Sequence, residues 1–448
     1  MPISFIHLSD IHFGQEKGSE VIVHDDVKEH LIRDAARLVQ TRTGGSATGV
    51  IVTGDIAYGG KLEEYDQAGE WLDRLTAAIG CPRTSVQVVP GNHDIDRDAI
   101  SSGCQLMLDK ILEEGTEKLD DFLSNELDRE VLYSRFSGYR PFAEGYDCPL
   151  DGNGGLASDR PFVIAPYRTL RFIGLNSALI CSAKDKKGLL ILGARQHVLP
   201  RNDGEELVVL AHHPLDWLQD SADTLHYVRS RARVFISGHE HNPALRIENI
   251  NEGRDLLTLA AGATVPPRVT EGYTYTYNLL IFDWDSDTDG LSVTVIPRAW
   301  SKEETDFIAD DVRLGESEPT TVLGCPQFRR GKNVETDLNI DLDHSVVNTE
   351  IPPIFSENQA APSEIEGSVK GGSMADTFAI LLLRFFRDLS PTQRNAVLWK
   401  LKVLPESFRT PLTHTIERKI VDSLAKSNRL AELEDAINEI QSESDNQN

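Results

Sequence analysis

The chain of 448 residues is too long for one ordinary hydrophobic core, so a large domain with a smaller companion is expected. Its 40% hydrophobic content is enough to fold, and 45 basic against 71 acidic residues leave a net charge of -26, an unfavourable long-range field for a nucleic-acid backbone. The five cysteines, Cys81, Cys104, Cys148, Cys181 and Cys325, are scattered, odd in number and without a Cys-x-x-Cys pair, which excludes a disulfide framework and reads as reduced, buried thiols.

Ile3 to Leu8 is an apolar, β-rich run with no basic leader before it, so a cytoplasmic address is expected. His24 to Thr41 carries helical spacing at Val27, Leu31, Ala35 and Val39, and Leu62 to Ile79 repeats the pattern between the short strands Val50 to Val52 and Val86 to Val89. Between Asp96 and Tyr146, Met107, Ile111, Leu119, Phe122, Leu123 and Leu127 predict two or more inserted helices, placed to cap whatever the preceding loop holds. Strands follow at Phe172 to Leu175, Leu207 to Leu210, Val234 to Ile236, Asp255 to Leu259, Tyr277 to Asp283 and Leu291 to Ile296. The last should pair antiparallel and close the second sheet of a β-sandwich.

After Trp300 acidic and polar residues dominate as far as Gly372, ending in Pro352-Pro353, Pro362 and Gly371-Gly372, which reads as a part-ordered arm and linker. Asp337 to Val347 is either a hairpin or an extended tail on the larger domain. Residues 373–442 read as a helical bundle. Phe378, Leu381, Leu382, Phe385 and Phe386 line one helix, whose apolar run is too short, and too interrupted by Arg384, to span a bilayer. Ser390-Pro391-Thr392-Gln393 is a capping box opening the next, with Val397, Leu398 and Leu401 inward. Pro405 and Pro411 bracket a loop, and Ile416, Ile420, Val421 and Leu424, then Leu430, Leu433, Ile437 and Ile440, mark two more helices.

Five strand ends carry the chemistry: Asp10-Ile11-His12, Gly54-Asp55, Gly91-Asn92-His93-Asp94, His212-His213-Pro214 and Gly238-His239-Glu240-His241. In open α/β sheets ligands gather beyond the carboxyl ends of strands, so these clusters can converge on one point. A phosphodiester repels an attacking hydroxide, and two cations about 3.5–4 Å apart relieve that repulsion and clamp the phosphoryl oxygens. Carboxylates, imidazoles and one amide, with no cysteine, suit Mn²⁺, Fe²⁺/Fe³⁺ or Zn²⁺ better than a thiolate-bound structural zinc, and are richer in nitrogen than a Mg²⁺ site. Singly each motif is loop punctuation. Jointly, in this order after five strands, coincidence fails.

These residues resemble the calcineurin-like metallophosphoesterases, whose motifs run D-x-H, GD, GNH[DE], H and GHxH over roughly the first 300 residues. The resemblance implies a four-layer α-β-β-α sandwich of α/β class, with the helical insertion at residues 96–146. It also implies one metal on Asp10, His12, Asp55 and His241 and a second on Asp55, Asn92, His212 and His239, with Asp55 bridging. Mn²⁺ heads the choice of the two divalent ions, with Fe or Zn as alternatives. His93 would assist the leaving group and Asp94 would orient it. His212, two residues before Pro214, matches the family histidine, and strand alternation turns His213 to the other face.

Arg135, Arg140, Arg168, Arg171, Arg195 and Arg201 fall where a substrate rim could be built, with a solvated surface as the plainer reading. Tyr58, Tyr65, Tyr139 and Tyr146 could stack a base, with core packing the default. Leu389 to Gln393, Ile420 to Ala425 and Arg429 to Leu433 resemble the bacterial Death-like and effector-associated adaptor domains. That implies a protein partner, clustering with like domains or homo-oligomerisation, and an antiviral defence role. Together these imply a phosphodiesterase or nuclease acting on nucleic acid or nucleotides in a cytoplasmic, non-membrane setting. The competing readings are a phosphomonoesterase or small-nucleotide phosphatase, and a non-catalytic adaptor, against which the complete ligand set argues.

Overall fold

The computed structural model describes residues 1–16, 20–150, 156–250, 254–266, 274–310, 312, 319–331, 374–404 and 412–445. The proposed hairpin at Asp337 to Val347 and the loop between Pro405 and Pro411 lie outside them.

Two mixed sheets face each other. The first contains β1 (Ile3–Leu8), β2 (Gly49–Val52) and β3 (Val86–Val88), which run parallel, while β10 (Thr276–Asp285) pairs antiparallel with the other edge of β1. β11 (Gly290–Ser301) continues this sheet on β10, and β12 (Asp306–Ala309) and β13 (Thr320–Leu323) both pair with β11. The second sheet runs β4 (Ser158–Ala165), β5 (Arg168–Gly174), β6 (Glu205–Leu210), β7 (Ala232–Ser237), β9 (Arg254–Ala260), β8 (Ala244–Ile250), with β5, β6, β7 and β9 parallel.

Strand alternation builds two cores. Ile3 and Phe5 of β1 point between the sheets, where Phe5, Phe172 and Phe282 meet at ring distances of 5.0, 5.5 and 6.4 Å. Ile6 and Leu8 point the opposite way, under α1 (Glu20–Arg42) and α2 (Leu62–Ala78), where Val27, Leu31, Ala35 and Val39 of α1 are buried as the spacing predicts. α8 (Ser221–Arg231) covers the outer face of the second sheet, completing the α-β-β-α layering.

Two expectations need correction. β11 does pair antiparallel, but within the sheet of β1, because β10 must satisfy the one edge of β1 that β2 leaves free. The sandwich also runs past Trp300, since β12 and β13 extend it and Leu323, Cys325 and Phe328 are buried between the sheets. All five cysteines are free and buried. Among the described residues no helix is long and apolar enough to cross a membrane.

The insertion forms a 3-10 turn at Arg97–Ala99 and then α3 (Ser102–Glu114), α4 (Thr116–Ser124), α5 (Glu126–Tyr133) and α6 (Tyr139–Gly145). A short α7 (Ala194–His197) precedes β6. The insertion was expected to cap the motif residues; it packs instead on α2 and on the C-terminal bundle. That bundle comprises α9 (Met374–Leu382), continued by a π-turn at Leu383–Arg387, then α10 (Pro391–Lys400), α11 (His414–Lys426) and α12 (Leu430–Asp445). The capping box at α10 forms as read, Ser390 Oγ accepting from Gln393 N and Ser390 N donating to Gln393 Oε1.

The bundle has its own core of Leu381, Phe385, Phe386, Val397, Leu398, Val421, Leu424, Leu433 and Ile437, but Leu383 is buried in the core of the larger domain. Ion pairs complete the contact. Arg387 donates to both carboxylate oxygens of Asp73 on α2 at 2.8 Å and to Tyr146 Oη at 2.7 Å, and Arg418 reaches Glu144 at 3.0 Å and Asp147 at 2.6 Å.

Candidate metal centre

The loops after β1, β2, β3, β6 and β7 meet at one side of the sandwich because both sheets present the carboxyl ends of their parallel strands there. Backbone bonds stitch them together: Asp10 N donates to Gly54 O at 3.0 Å, His12 N to Asp55 O at 3.0 Å and Gly238 N to His212 O at 2.9 Å. Across the sheets, His239 N donates to Asp10 Oδ2 at 3.2 Å.

Five of the seven residues expected to bind metal hold left-handed backbone without being glycine: Asp10 (φ 55°), His12 (56°), Asp55 (54°), His239 (71°) and His241 (53°). Such conformations cost energy for residues with a Cβ and persist where the surroundings over-determine them, as at functional sites. The glycines of the motifs answer to space. A Cβ on Gly91 would stand 2.2 Å from Asp55 Oδ1, and one on Gly54, itself at φ +89°, 2.5 Å from His212 Nδ1.

Asp55 is the centre of the constellation. His12 Nε2 lies 3.2 Å and His212 Nε2 3.4 Å from its Oδ2, while Oδ1 accepts from His93 N at 2.8 Å. One oxygen therefore faces imidazoles from both sheets. His241 Nε2 is 3.0 Å from Asp10 Oδ1, Asn92 Oδ1 is 3.2 Å from His212 Nε2, and His239 Nδ1 is 3.3 Å from the same nitrogen. Backbone carbonyls select the ring nitrogens: His212 Nδ1 donates to Thr53 O at 2.8 Å, turning Nε2 inward. Asp10, His12, Asp55 and His212 are almost wholly buried, and His239 and His241 partly so.

Packing His12, His212 and His239 against two buried carboxylates shifts all five groups. Burial pushes the Asp10 carboxyl up, but the His241 hydrogen bond and the nearby histidines hold it down at about 2, and Asp55 is held well below the carboxylate range in the same way. Burial opposes the His212 cation, yet Asp55 and Asp10 lift its pKa to about 9, and Asp55 likewise raises His12. Burial and the charge on His212 lower His239 to about 4. Clustered nitrogen and oxygen donors of this kind, groupable as Asp10-His12-His241 and Asp10-Asp55-His212 with donor atoms within 4.8 Å, fit divalent ions.

Of the remaining residues, Asp94 departs from expectation and His213 turns away as strand alternation requires. Asp94 was to orient His93, but it accepts from Gly91 N (2.8 Å), Ile56 N (3.1 Å), Ala57 N (3.0 Å) and Tyr65 Oη (2.9 Å), so it ties the second and third motif loops together. Burial, then the Asp55 charge, raises its pKa to about 6. The His93 ring is oriented by the Tyr58 carbonyl, 2.8 Å from Nδ1. His213 turns to Ser177 Oγ (2.9 Å) and, buried, is pushed well below the ordinary histidine range, though its ring still lies 4.5 Å from that of His239. Backbone acceptors such as Thr53 O and Tyr58 O carry no side-chain signature, and no sequence signal marks them.

Neither reading of the arginines holds throughout. Arg135 is fully buried and donates to the carbonyls of Leu132, Leu179 and Cys181; Arg168 pairs with Asp289, Arg171 with Glu205 and Asp159, and Arg140 with Glu130. They are structural because a guanidinium can satisfy several buried acceptors at once. Tyr65, Tyr139 and Tyr146 are core residues, whereas Tyr58 is 45% exposed. It lines a cleft of about 120 Å³ with His12, Gln15, Asp55, Asn92, His93, His239 and His241; no described residue of the insertion lines it.

Residues 3–243 match the model of the calcineurin-like phosphoesterases, and residues 377–439 that of the GTPase-associated adaptor domain. The chain belongs to the calcineurin-like phosphoesterase family and carries an adaptor domain over residues 377–439. Over 280 residues it is 24% identical to the uncharacterized metallophosphoesterase-like protein YydB of Bacillus subtilis (strain 168), covering 59% of this chain and 54% of that one, so it spans about half the length of this relative. Among solved structures, purple acid phosphatase PPD1 from yellow lupin (Lupinus luteus) seeds is 12% identical with a TM-score of 0.38, covering 72% of this chain and 54% of that one. A putative 5'-nucleotidase from Staphylococcus aureus is 14% identical with a TM-score of 0.33, covering 75% and 58%.

Proposed function

We propose that this phosphoesterase is a phosphodiesterase of nucleic acid or nucleotides, holding two divalent ions, Mn²⁺ foremost. Asp10, His12, Asp55 and His241 would hold one ion, and Asp55, Asn92, His212 and His239 the other. The observation that carries this reading is Asp55 Oδ2, a single buried oxygen facing imidazoles on two sides. When bound, the ions supply positive charge for the phosphoryl oxygens and lower the pKa of water.

The protein's own residues do the rest. Asp55 Oδ1 fixes the His93 backbone at 2.8 Å, and the Tyr58 carbonyl fixes its ring through Nδ1–H, so Nε2 is the nitrogen left to face the leaving oxygen and hands it a proton from the imidazolium form, which burial disfavours. Asp94, by tying Gly91 to Ile56 and Ala57, keeps that ring in register with Asp55. The cleft walls offer imidazole, amide and phenol groups and the Asp55 carboxylate, with no lysine or arginine among the described lining residues, which suits a singly charged diester better than a doubly charged monoester.

The adaptor bundle supports a second part of the proposal: an effector recruited or clustered by a protein partner, in a defence role of antiphage type. One observation favours the alternative of a small-nucleotide phosphatase, namely that a cleft of about 120 Å³ holds little more than a phosphate and its nearest neighbours. Hydrolysis of a chromogenic diester beside its monoester, with single- and double-stranded DNA and RNA in parallel, separates the two. Turnover of the monoester alone would move the protein to the phosphatase class.

A further inference from the structure

Tyr58 occupies an unusual place for an aromatic residue. It closes the loop that begins at Asp55, and its backbone is held on two sides: Tyr58 N donates to Phe13 O at 3.0 Å, and Asp94 clamps the two residues before it. Its ring stacks on that of His93, centroids 5.1 Å apart and planes 23° from parallel, and meets His12 edge-on at 6.2 Å. Core packing does not account for it, because nearly half of the residue is exposed in the wall of the cleft. Nor does the ring serve to set the His93 tautomer. The carbonyl that does so belongs to the backbone and survives any substitution at this position.

We propose that the Tyr58 ring is a stacking platform for the nucleoside that leaves with the oxygen protonated by His93. The inference rests on the phosphodiesterase reading and adds to it the substrate class: nucleotide diesters with a nucleoside, of any base, on the leaving side. The side follows from position, since a group departing past His93 must pass the ring that covers it. Tolerance of base identity follows from stacking, which every base offers through its π-face and which is worth roughly 5- to 150-fold in binding.

The test uses the full chain as wild type, Tyr58→Ala and Tyr58→Phe, with two readouts. In the first, calorimetry without turnover compares a free nucleoside, the departing product, with ribose. Wild type and Tyr58→Phe should prefer the nucleoside at least about fivefold, and Tyr58→Ala should lose that preference. In the second, kcat/KM is compared for a dinucleoside monophosphate and for the methyl ester of the same nucleotide, whose leaving groups have similar basicity. The ratio between them should fall at least about fivefold in Tyr58→Ala, through KM, and return in Tyr58→Phe. Equal losses on both substrates, through kcat, would mean that the ring serves only His93 and would overturn the proposal, as would a wild type indifferent to the base in calorimetry. Failure of the phosphodiesterase reading looks different, as wild-type protein would turn over neither diester while the calorimetric comparison still decides the role of the ring.

Discussion

The metal centre and the contact between the bundle and the larger domain use the same alphabet of carboxylates and basic side chains, and they use it in opposite ways. At the centre, Asp10, Asp55, His12 and His212 are buried, the first three on left-handed backbone and His212 held by the Thr53 carbonyl. At the contact, Arg387 and Arg418 reach partners that keep some solvent access, such as Asp73 at 29% and Asp147 at 49% side-chain exposure. Cavities of about 840 and 500 Å³ flank those pairs. Buried charges that repel or attract one another without solvent call for a fixed ligand. The arginines themselves are only 8% and 18% exposed and Glu144 is buried, so these pairs are partly shielded, yet the open sides of Asp73 and Asp147 let salt weaken them, which suits a contact able to open.

Substitution separates the two regions most sharply at Asp55. Asp55→Asn should lower hydrolysis at least about 1,000-fold, since both halves of the site lose their common oxygen. A fully active variant would break the assignment. His93→Ala should lower kcat about 100- to 1,000-fold while retaining metal, most severely on esters with poor leaving groups. Loss of metal in that variant would instead make His93 a ligand, which its place beside His12 and Asp55 permits.

Acidity gives the next largest effect. In the metal-free protein the pKa of His212 stands at about 9, so near neutral pH a metal must displace its proton. Apparent metal affinity should therefore fall about tenfold for each pH unit lost between pH 8 and 6, measured by competition with a chelator. A flat profile would mean that His212 is already neutral and that the carboxylates are balanced elsewhere.

The smallest effects belong to the contact. Arg387→Ala should cost about 1–3 kcal/mol, because a largely buried guanidinium leaves Asp73 and Tyr146 without their donor, and should free the bundle to limited proteolysis sooner at high salt, with hydrolysis of a small diester barely altered. Charge exchange, Arg387→Asp with Asp73→Arg, should restore protection. Removing residues 374–448 should alter oligomeric state or cellular toxicity and leave small-diester hydrolysis standing. A truncated chain that cannot fold would show that Leu383, buried in the larger core, makes the bundle part of that domain.

The difference between the regions also explains what the sequence could reveal. The convergence of the five motifs was legible because each follows a buried strand, and strand ends of parallel sheets fix where their next residues lie. The role of Asp94 was not, because a carboxylate that caps four donors looks the same in sequence as one that orients an imidazole. Arg135 reads as a surface residue until its three carbonyl acceptors are seen. The insertion likewise announced its helices but not its partner, since its buried face meets residues more than 200 positions away, such as Arg387 and Arg418.

The central claim is that Asp55 joins two metal subsites. It is tested most directly by counting ions in native mass spectra of the Mn²⁺-loaded chain and of Asp55→Asn, with diester hydrolysis followed on the same samples. Two ions per wild-type chain, with the variant holding at most one and inactive, is the result this structure predicts. Two tightly held ions in an Asp55→Asn protein that still cleaves the diester would contradict it.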